Sequence, residues 1–153
     1  MAVVLTACEQ RAERSAVQFN ASKQEEKLKN ETYPIVKWVG GKRQLMFELL
    51  KNLPKSYNRF FEPFIGGGAL FFELQPDNAY ISDMNEELIN LYSVVRDNVD
   101  ELIEDLSKHE ISKEYFLEIR NIDRTEEYSK LSNVERASRF IYLNRTCFNG
   151  MYR

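Results

Sequence analysis

One histidine, one tryptophan, two cysteines and four prolines are spread over 153 residues. Each scarcity excludes something. The cysteines, Cys8 and Cys147, have no metal-like spacing and no neighbouring histidine, and His109 stands alone. A zinc site and a disulfide framework are therefore excluded, and free thiols in a reducing cytoplasm with no metal are expected. No apolar run approaches the roughly 18 residues of a membrane-spanning helix, so no membrane partner is expected. The opening Met1-Ala2-Val3-Val4-Leu5-Thr6-Ala7-Cys8 has no basic leader and too short an apolar core for a lipoprotein cleavage box. What is present, 43% hydrophobic and 29% charged residues, suits one domain with a real core and excludes a disordered chain.

The few glycines are concentrated. Phe60-Phe61-Glu62-Pro63-Phe64-Ile65 runs into Gly66, Gly67 and Gly68 and leaves through Ala69-Leu70-Phe71-Phe72-Glu73-Leu74. This is the pattern of a strand, a tight turn and a helix. Backbone without Cβ can take positive φ and let a ligand lie against it, and a helix start offers free N–H groups. An ordinary glycine-rich connection is the alternative. After a break at Pro76-Asp77-Asn78, a second strand is predicted at Ala79-Tyr80-Ile81-Ser82, ending at Asp83, seventeen residues after Gly66. Nucleotide-binding α/β units place an acid for a ribose diol at a similar interval. Asn85 is the expected cap of the next helix, which leaves Asp83 free for a ligand.

Upstream, Tyr33-Pro34-Ile35-Val36-Lys37-Trp38-Val39-Gly40-Gly41-Lys42 precedes a helical pattern of Leu45, Leu49, Leu50 and Leu53. A lysine at a helix start is electrostatically misplaced unless it faces an anion. Trp38 is either core or a ligand wall, with Gly40 and Gly41 allowing close approach. Downstream, Leu88, Leu91, Tyr92, Val95, Val99, Leu102, Ile103 and Leu106 predict one long helix of about six turns, its acids toward solvent. His109, near its end, reads as a surface cation site. Residues 111–132 read as a charged connection with some helix around 114–120, and 133–144 as a second amphipathic segment. It leads into Asn144-Arg145-Thr146-Cys147-Phe148-Asn149-Gly150-Met151-Tyr152-Arg153, where arginines interleaved with aromatics suit a loop that stacks on bases and touches phosphates. Residues 1–32 carry no motif and read as an extension outside the core, helical or disordered, native or not.

The net charge of −3 hides an asymmetry. Over residues 33–59 six cations face the single acid Glu48, over 83–110 nine acids face Arg96 and Lys108, and from Arg136 onward there are four arginines and no acid. Each run suits a solvated face. The two basic segments also suit a single phosphate-facing surface with the acidic helix turned away.

Taken in order, Lys37-Trp38-Val39-Gly40-Gly41-Lys42, Phe61-Glu62-Pro63-Phe64-Ile65-Gly66-Gly67-Gly68, Ile81-Ser82-Asp83-Met84-Asn85 and the segment from Asn144 to Arg153 resemble the Dam-type DNA adenine methyltransferases. The resemblance covers residues 33–153 and implies an α/β fold. A partial Rossmann-like, S-adenosylmethionine-dependent methyltransferase domain would fill residues 33–110, and 111–153 would begin a helical target-recognition region. The implied reaction is methyl transfer from S-adenosylmethionine to the exocyclic amine of adenine in double-stranded DNA, commonly within GATC. By position, Trp38 and Lys42 match cofactor-contacting residues, Phe64 with Gly66, Gly67 and Gly68 a methionine-side cradle, and Asp83 the acid on the cofactor ribose. Lys37, Phe148, Asn149 and Arg153 match residues that contact or intercalate into target DNA, with Arg153 at a base-reading position.

One departure stands out. The family's Asp-Pro-Pro-Tyr-like catalytic tetrapeptide is absent, since the prolines are Pro34, Pro54, Pro63 and Pro76. A flipped adenine must stack on an aromatic ring while a side-chain oxygen and a backbone carbonyl accept hydrogen bonds from its amine, and no stretch here substitutes for that clamp. The resemblance therefore implies the N-terminal part of such an enzyme, inactive alone and without a catalytic residue. Two other readings stand beside it: a non-enzymatic DNA- or partner-binding remnant, and a nicotinamide-nucleotide enzyme using the glycine turn. The collinear Trp38 and Arg153 motifs weigh against the last.

Overall fold

The computed structural model describes residues 32–151, and those from 34 onward form one compact unit. The extension read over 1–32 falls, but for its last residue, outside the described residues, and so does Arg153. A 3-10 turn at Lys42–Leu45 leads into α1 (Met46–Asn52). Leu53, extended at φ −72° and ψ 146°, ends it because a residue before proline is pushed out of the helical region.

Next comes a β-α-β unit: β1 (Phe60–Glu62), α2 (Ala69–Leu74) and β2 (Ala79–Ile81). The strands are parallel, with Phe60 opposite Ala79 and Glu62 opposite Ile81. β1 stops at Glu62, short of the apolar run that continues to Ile65, because Pro63 has no N–H for a ladder. On the outer side Phe61 and Tyr80, both more than half exposed, stack with centroids 4.9 Å apart.

The predicted single long helix is two, α3 (Glu86–Asp97) and α4 (Val99–Leu106), broken at Asn98, φ −140° and ψ 43°. Asparagine competes for its own backbone and is a weak helix former. Asn98 still donates to the Val94 carbonyl at 2.7 Å and accepts from Leu102 at 3.1 Å, so the chain bends without losing those bonds. Ser112 caps α5 (Lys113–Asn121), 3-10 turns follow at Ile122–Arg124 and Glu126–Lys130, and α6 (Asn133–Thr146) opens on a Ser132/Glu135 capping box.

α6 packs along α3 and α4, and its Ala137 and Phe140 join Val36, Ile65, Leu88, Leu91, Tyr92, Val94 and Leu102 in the core. Each fully buried leucine of this set contributes roughly 1.5–3 kcal/mol relative to exposure. A two-stranded sheet is marginal alone, so the helical layer carries the unit and holds the β-α-β turn in place.

Three expectations fail against this packing. The acids of α3 do not all face solvent: Glu87 Oε1 accepts from the Tyr128 hydroxyl and from Arg136, whose Nη2 and Nε both reach it. The arginines of α6 are not one basic surface, since Arg136 makes that pair and Arg139, 3% exposed, donates to the carbonyls of Ile119 and Arg120. His109 is not a surface cation site. Its Nδ1 lies 2.9 Å from the Tyr115 hydroxyl, its Nε2 3.0 Å from Ser138 Oγ, and its ring stacks on Tyr142. Burial lowers its pKa, so the neutral ring joins α5 to α6. Among the described residues no helix is long and apolar enough to cross a membrane, and no cluster of His, Cys, Asp and Glu could hold a metal ion.

Candidate functional site

The glycine turn is built by the residues beneath it. Gly66 and Gly68 have φ of +54° and +77°, the left-handed region that a side chain strains. A Cβ on Gly66 would stand 2.9 Å from Trp38 Cδ1, one on Gly67 3.1 Å from the Val36 carbonyl oxygen, and one on Gly68 2.9 Å from Phe72 and from the Tyr92 hydroxyl. Tyr92 donates to the Gly66 carbonyl at 2.9 Å. Burial, then the charges of Glu62 and Asp83, push this phenol well above its usual range, which keeps it a donor.

Asp83 is not free, as the capping of α3 by Asn85 had suggested. Asn85 does cap, accepting from Glu87 and Leu88 at 3.0 and 3.2 Å. Asp83 nonetheless accepts from Gly66 N–H on Oδ2 at 2.9 Å and from Asn85 N–H on Oδ1 at 3.0 Å. An ionised carboxylate has about four lone-pair positions, so a half-buried Asp83 keeps capacity for a ligand hydroxyl.

Trp38 sits against Gly66 with its ring 6.1 Å from that of Phe140, so it touches the core. It also borders a cleft of about 400 Å³ shared with Gly40, Gly41, Arg43 and Gln44. Lys42 donates to the carbonyl of Phe64, whose ring is exposed. Its Nζ stands 2.9 Å from Glu62 Oε1, an ion pair out of hydrogen-bond alignment.

Glu62 is the residue the sequence reading missed. It is 4% exposed, and neither carboxylate oxygen accepts a hydrogen bond. Burying a carboxylate costs several kcal/mol unless its lone pairs are satisfied. It is among the residues lining a largely apolar cleft of about 330 Å³, with Lys42, Phe64 and Leu70. An acid inside an aromatic strand was the available signal. The arrangement can accept a donor-bearing, cationic group beside a glycine cradle.

Three of the four residues expected to face DNA come together. Phe148–Gly150 is a 3-10 turn in which Phe148 is exposed and Asn149 has φ of +54°. A Cβ on Gly150 would fall 2.6 Å from Lys37 Cβ, so the turn lies directly against Lys37. Arg145 Nη2 donates to the Ile35 carbonyl at 2.7 Å, a second tie between these segments. Arg153 lies outside the described residues.

A family model described as D12 class N6 adenine-specific DNA methyltransferase matches residues 38–153. A Type II methyltransferase, M1.LlaDCHI of Lactococcus lactis subsp. cremoris, is 55% identical over 122 residues, covering 78% of this chain and 43% of that protein. The Type II methyltransferase M.MjaIII of Methanocaldococcus jannaschii is 38% identical over 141 residues, covering 80% and 48%. The DNA adenine methylase of Haemophilus influenzae is 36% identical over 137 residues, covering 86% and 46%. The chain thus spans about half the length of these relatives.

Proposed function

The chain belongs to the D12 class of N6 adenine-specific DNA methyltransferases, and from that membership we propose that it supplies the cofactor cradle and part of the DNA-facing surface of an enzyme methylating adenine. The methyl donor is S-adenosylmethionine, the acceptor the exocyclic amine of adenine in double-stranded DNA, within a GATC-like site, in the cytoplasm where that DNA lies. The β1-α2-β2 unit is then the first piece of a Rossmann-like sheet. Residues 33–110 form the cofactor part, and 111–153 begin the target-recognition region.

The observation that carries the reading is the buried carboxylate of Glu62, without a hydrogen bond and paired with Lys42, beside a glycine turn that meets Trp38 and Asp83. These groups fit the donor. Asp83 suits the ribose hydroxyls, Glu62 the amino-acid ammonium, Lys42 the carboxylate, and Trp38 with Phe64 the apolar surfaces, while Gly66, Gly67 and Gly68 admit the ligand to the backbone. S-adenosylmethionine supplies a methyl group on a sulfonium, whose positive charge favours its departure. This chain's own residues bind and orient. Lys37, Phe148, Asn149 and Arg153 approach the duplex, Phe148 by stacking and Arg153 at a base edge, where a bidentate contact is worth roughly 1–3 kcal/mol of discrimination.

Calorimetric titration with S-adenosylmethionine tests the reading. Saturable binding that Asp83→Ala weakens is expected. Heats equal to dilution, or an unaltered affinity in the variant, defeat it. The other reading is a non-enzymatic DNA- or partner-binding role. Duplex binding without cofactor binding would select it.

A further inference from the structure

Asn144, near the end of α6, is 1% exposed. An amide side chain offers one acceptor oxygen and two donor hydrogens, and a buried one must place them all. Oδ1 accepts from the Lys37 N–H at 2.9 Å, and Nδ2 donates to the carbonyls of Lys37 at 2.8 Å and Gly150 at 3.0 Å. Bonding both the N–H and the C=O of Lys37 fixes the peptide planes on either side of its Cα. The same amide fixes the end of the Phe148–Gly150 turn. The neighbours of Lys37 lie against the glycine turn, since the Val36 carbonyl and the Trp38 ring occupy the space that a Cβ on Gly67 or Gly66 would need. Packed interiors transmit displacement with little slack.

We propose that Asn144 is a positioning residue that makes the Phe148–Gly150 turn and the Lys37-Trp38 segment one element, so that what moves the turn is felt at Trp38 on the glycine cradle. Duplex contact at Phe148 and Asn149 is thereby linked to cofactor contact at Trp38, and by reciprocity each ligand alters the affinity for the other. The linkage rests on the functional reading above. The positioning itself does not.

Trp38 is the only tryptophan, so its emission reports its surroundings without a label. Asn144→Asp keeps the size of the side chain and sets a carboxylate oxygen against the carbonyls of Lys37 and Gly150. Its expected effect is a shifted Trp38 emission and stronger acrylamide quenching at unaltered helical circular dichroism. Lowering the pH should return the emission toward wild type, because protonation gives the new carboxyl an O–H donor. Burial and the facing carbonyls raise its pKa, and a merely loosened helix would show no such recovery. Asn90→Ala removes a comparable tie, Asn90 Nδ2 to the Asn133 carbonyl at 2.9 Å, and should leave Trp38 unchanged.

If Asn144→Asp does not fold, Gly150→Ala decides, since its Cβ presses on Lys37 from the other side of the junction. Folded variants with wild-type Trp38 emission and quenching overturn the proposal. In the ligand arm, a saturating GATC-containing duplex should change wild-type S-adenosylmethionine affinity about fivefold or more, and Asn144→Asp should bring that factor to near one. No cofactor binding by the wild-type chain would defeat the functional reading while leaving the Trp38 result to judge Asn144.

Discussion

The amide of Gly66 donates to Asp83 Oδ2 at 2.9 Å, joining the turn after β1 to the segment that follows β2. The parallel register makes this possible: beyond the paired strands, Ile65 N–H still reaches the Ser82 carbonyl at 3.0 Å, so the turn and the acid arrive side by side. One carboxylate therefore braces the cradle and borders it.

Two effects should follow from Asp83→Ala. Cofactor affinity should fall by about 1.5–3 kcal/mol as a charged acceptor is lost, and stability by about 1–3 kcal/mol as the Gly66 and Asn85 amides lose their partner. Asp83→Asn keeps one acceptor oxygen, so calorimetry should show the affinity loss with a smaller fall in melting temperature. Wild-type affinity in both variants would remove Asp83 from the ribose.

Glu62→Gln separates a binding residue from a structural one. The neutral amide removes a buried charge that accepts no hydrogen bond, but it also takes the ion partner from Lys42, 2.9 Å away, so the melting temperature should change little. S-adenosylmethionine affinity should fall by about 1.5–3 kcal/mol, the worth of a charge-assisted bond. A lower melting temperature with unaltered affinity would make Glu62 part of the scaffold only.

His109 gives the fold an acid-sensitive joint. Its folded pKa is lowered, chiefly by burial and against an opposing pull from Asp105, so the unfolded chain binds the proton more readily. Stability from this group is complete above the ordinary value of 6.5 and is lost as pH falls from there toward the lowered folded value. The hydroxyls of Tyr115 and Ser138 can rotate to accept from a protonated ring, so the loss comes from burying charge rather than from broken bonds. Melting curves from pH 7.5 to 5 should show the decline, and His109→Gln should flatten it. An equal slope in the variant assigns it to other groups.

The 153-residue polypeptide incubated with labelled S-adenosylmethionine and duplex DNA should transfer no methyl group above a protein-free control. Orientation of two substrates accounts for roughly 7–11 kcal/mol of barrier lowering, and these residues contain no adenine clamp of the Asp-Pro-Pro-Tyr kind. Turnover well above the control would mean that other side chains hold the adenine.

Much of this was legible along the chain because it is local. Glycines allow positive φ at a turn, Pro54 stops α1, Asn85 caps α3, and periodic leucines mark a buried stripe; each depends on residues a few positions apart. The spacing from Gly66 to Asp83 was legible for the same reason, since one β-α-β unit of ordinary length places the two together. Charge was not. Nine acids over residues 83–110 and four arginines from 136 onward looked like opposed surfaces, but Glu87 and Arg136 meet across α3 and α6, and Arg139 is spent on backbone carbonyls. Asn144 looked like one more polar residue at a helix end, and two of its three bonds depend on a partner segment 107 positions away. Glu62 reads as one acid in a strand until burial strips it of water. Pairing and desolvation are properties of neighbours in space, which the packing of α6 supplies for Glu87 and Lys37 and the pairing with Lys42 supplies for Glu62.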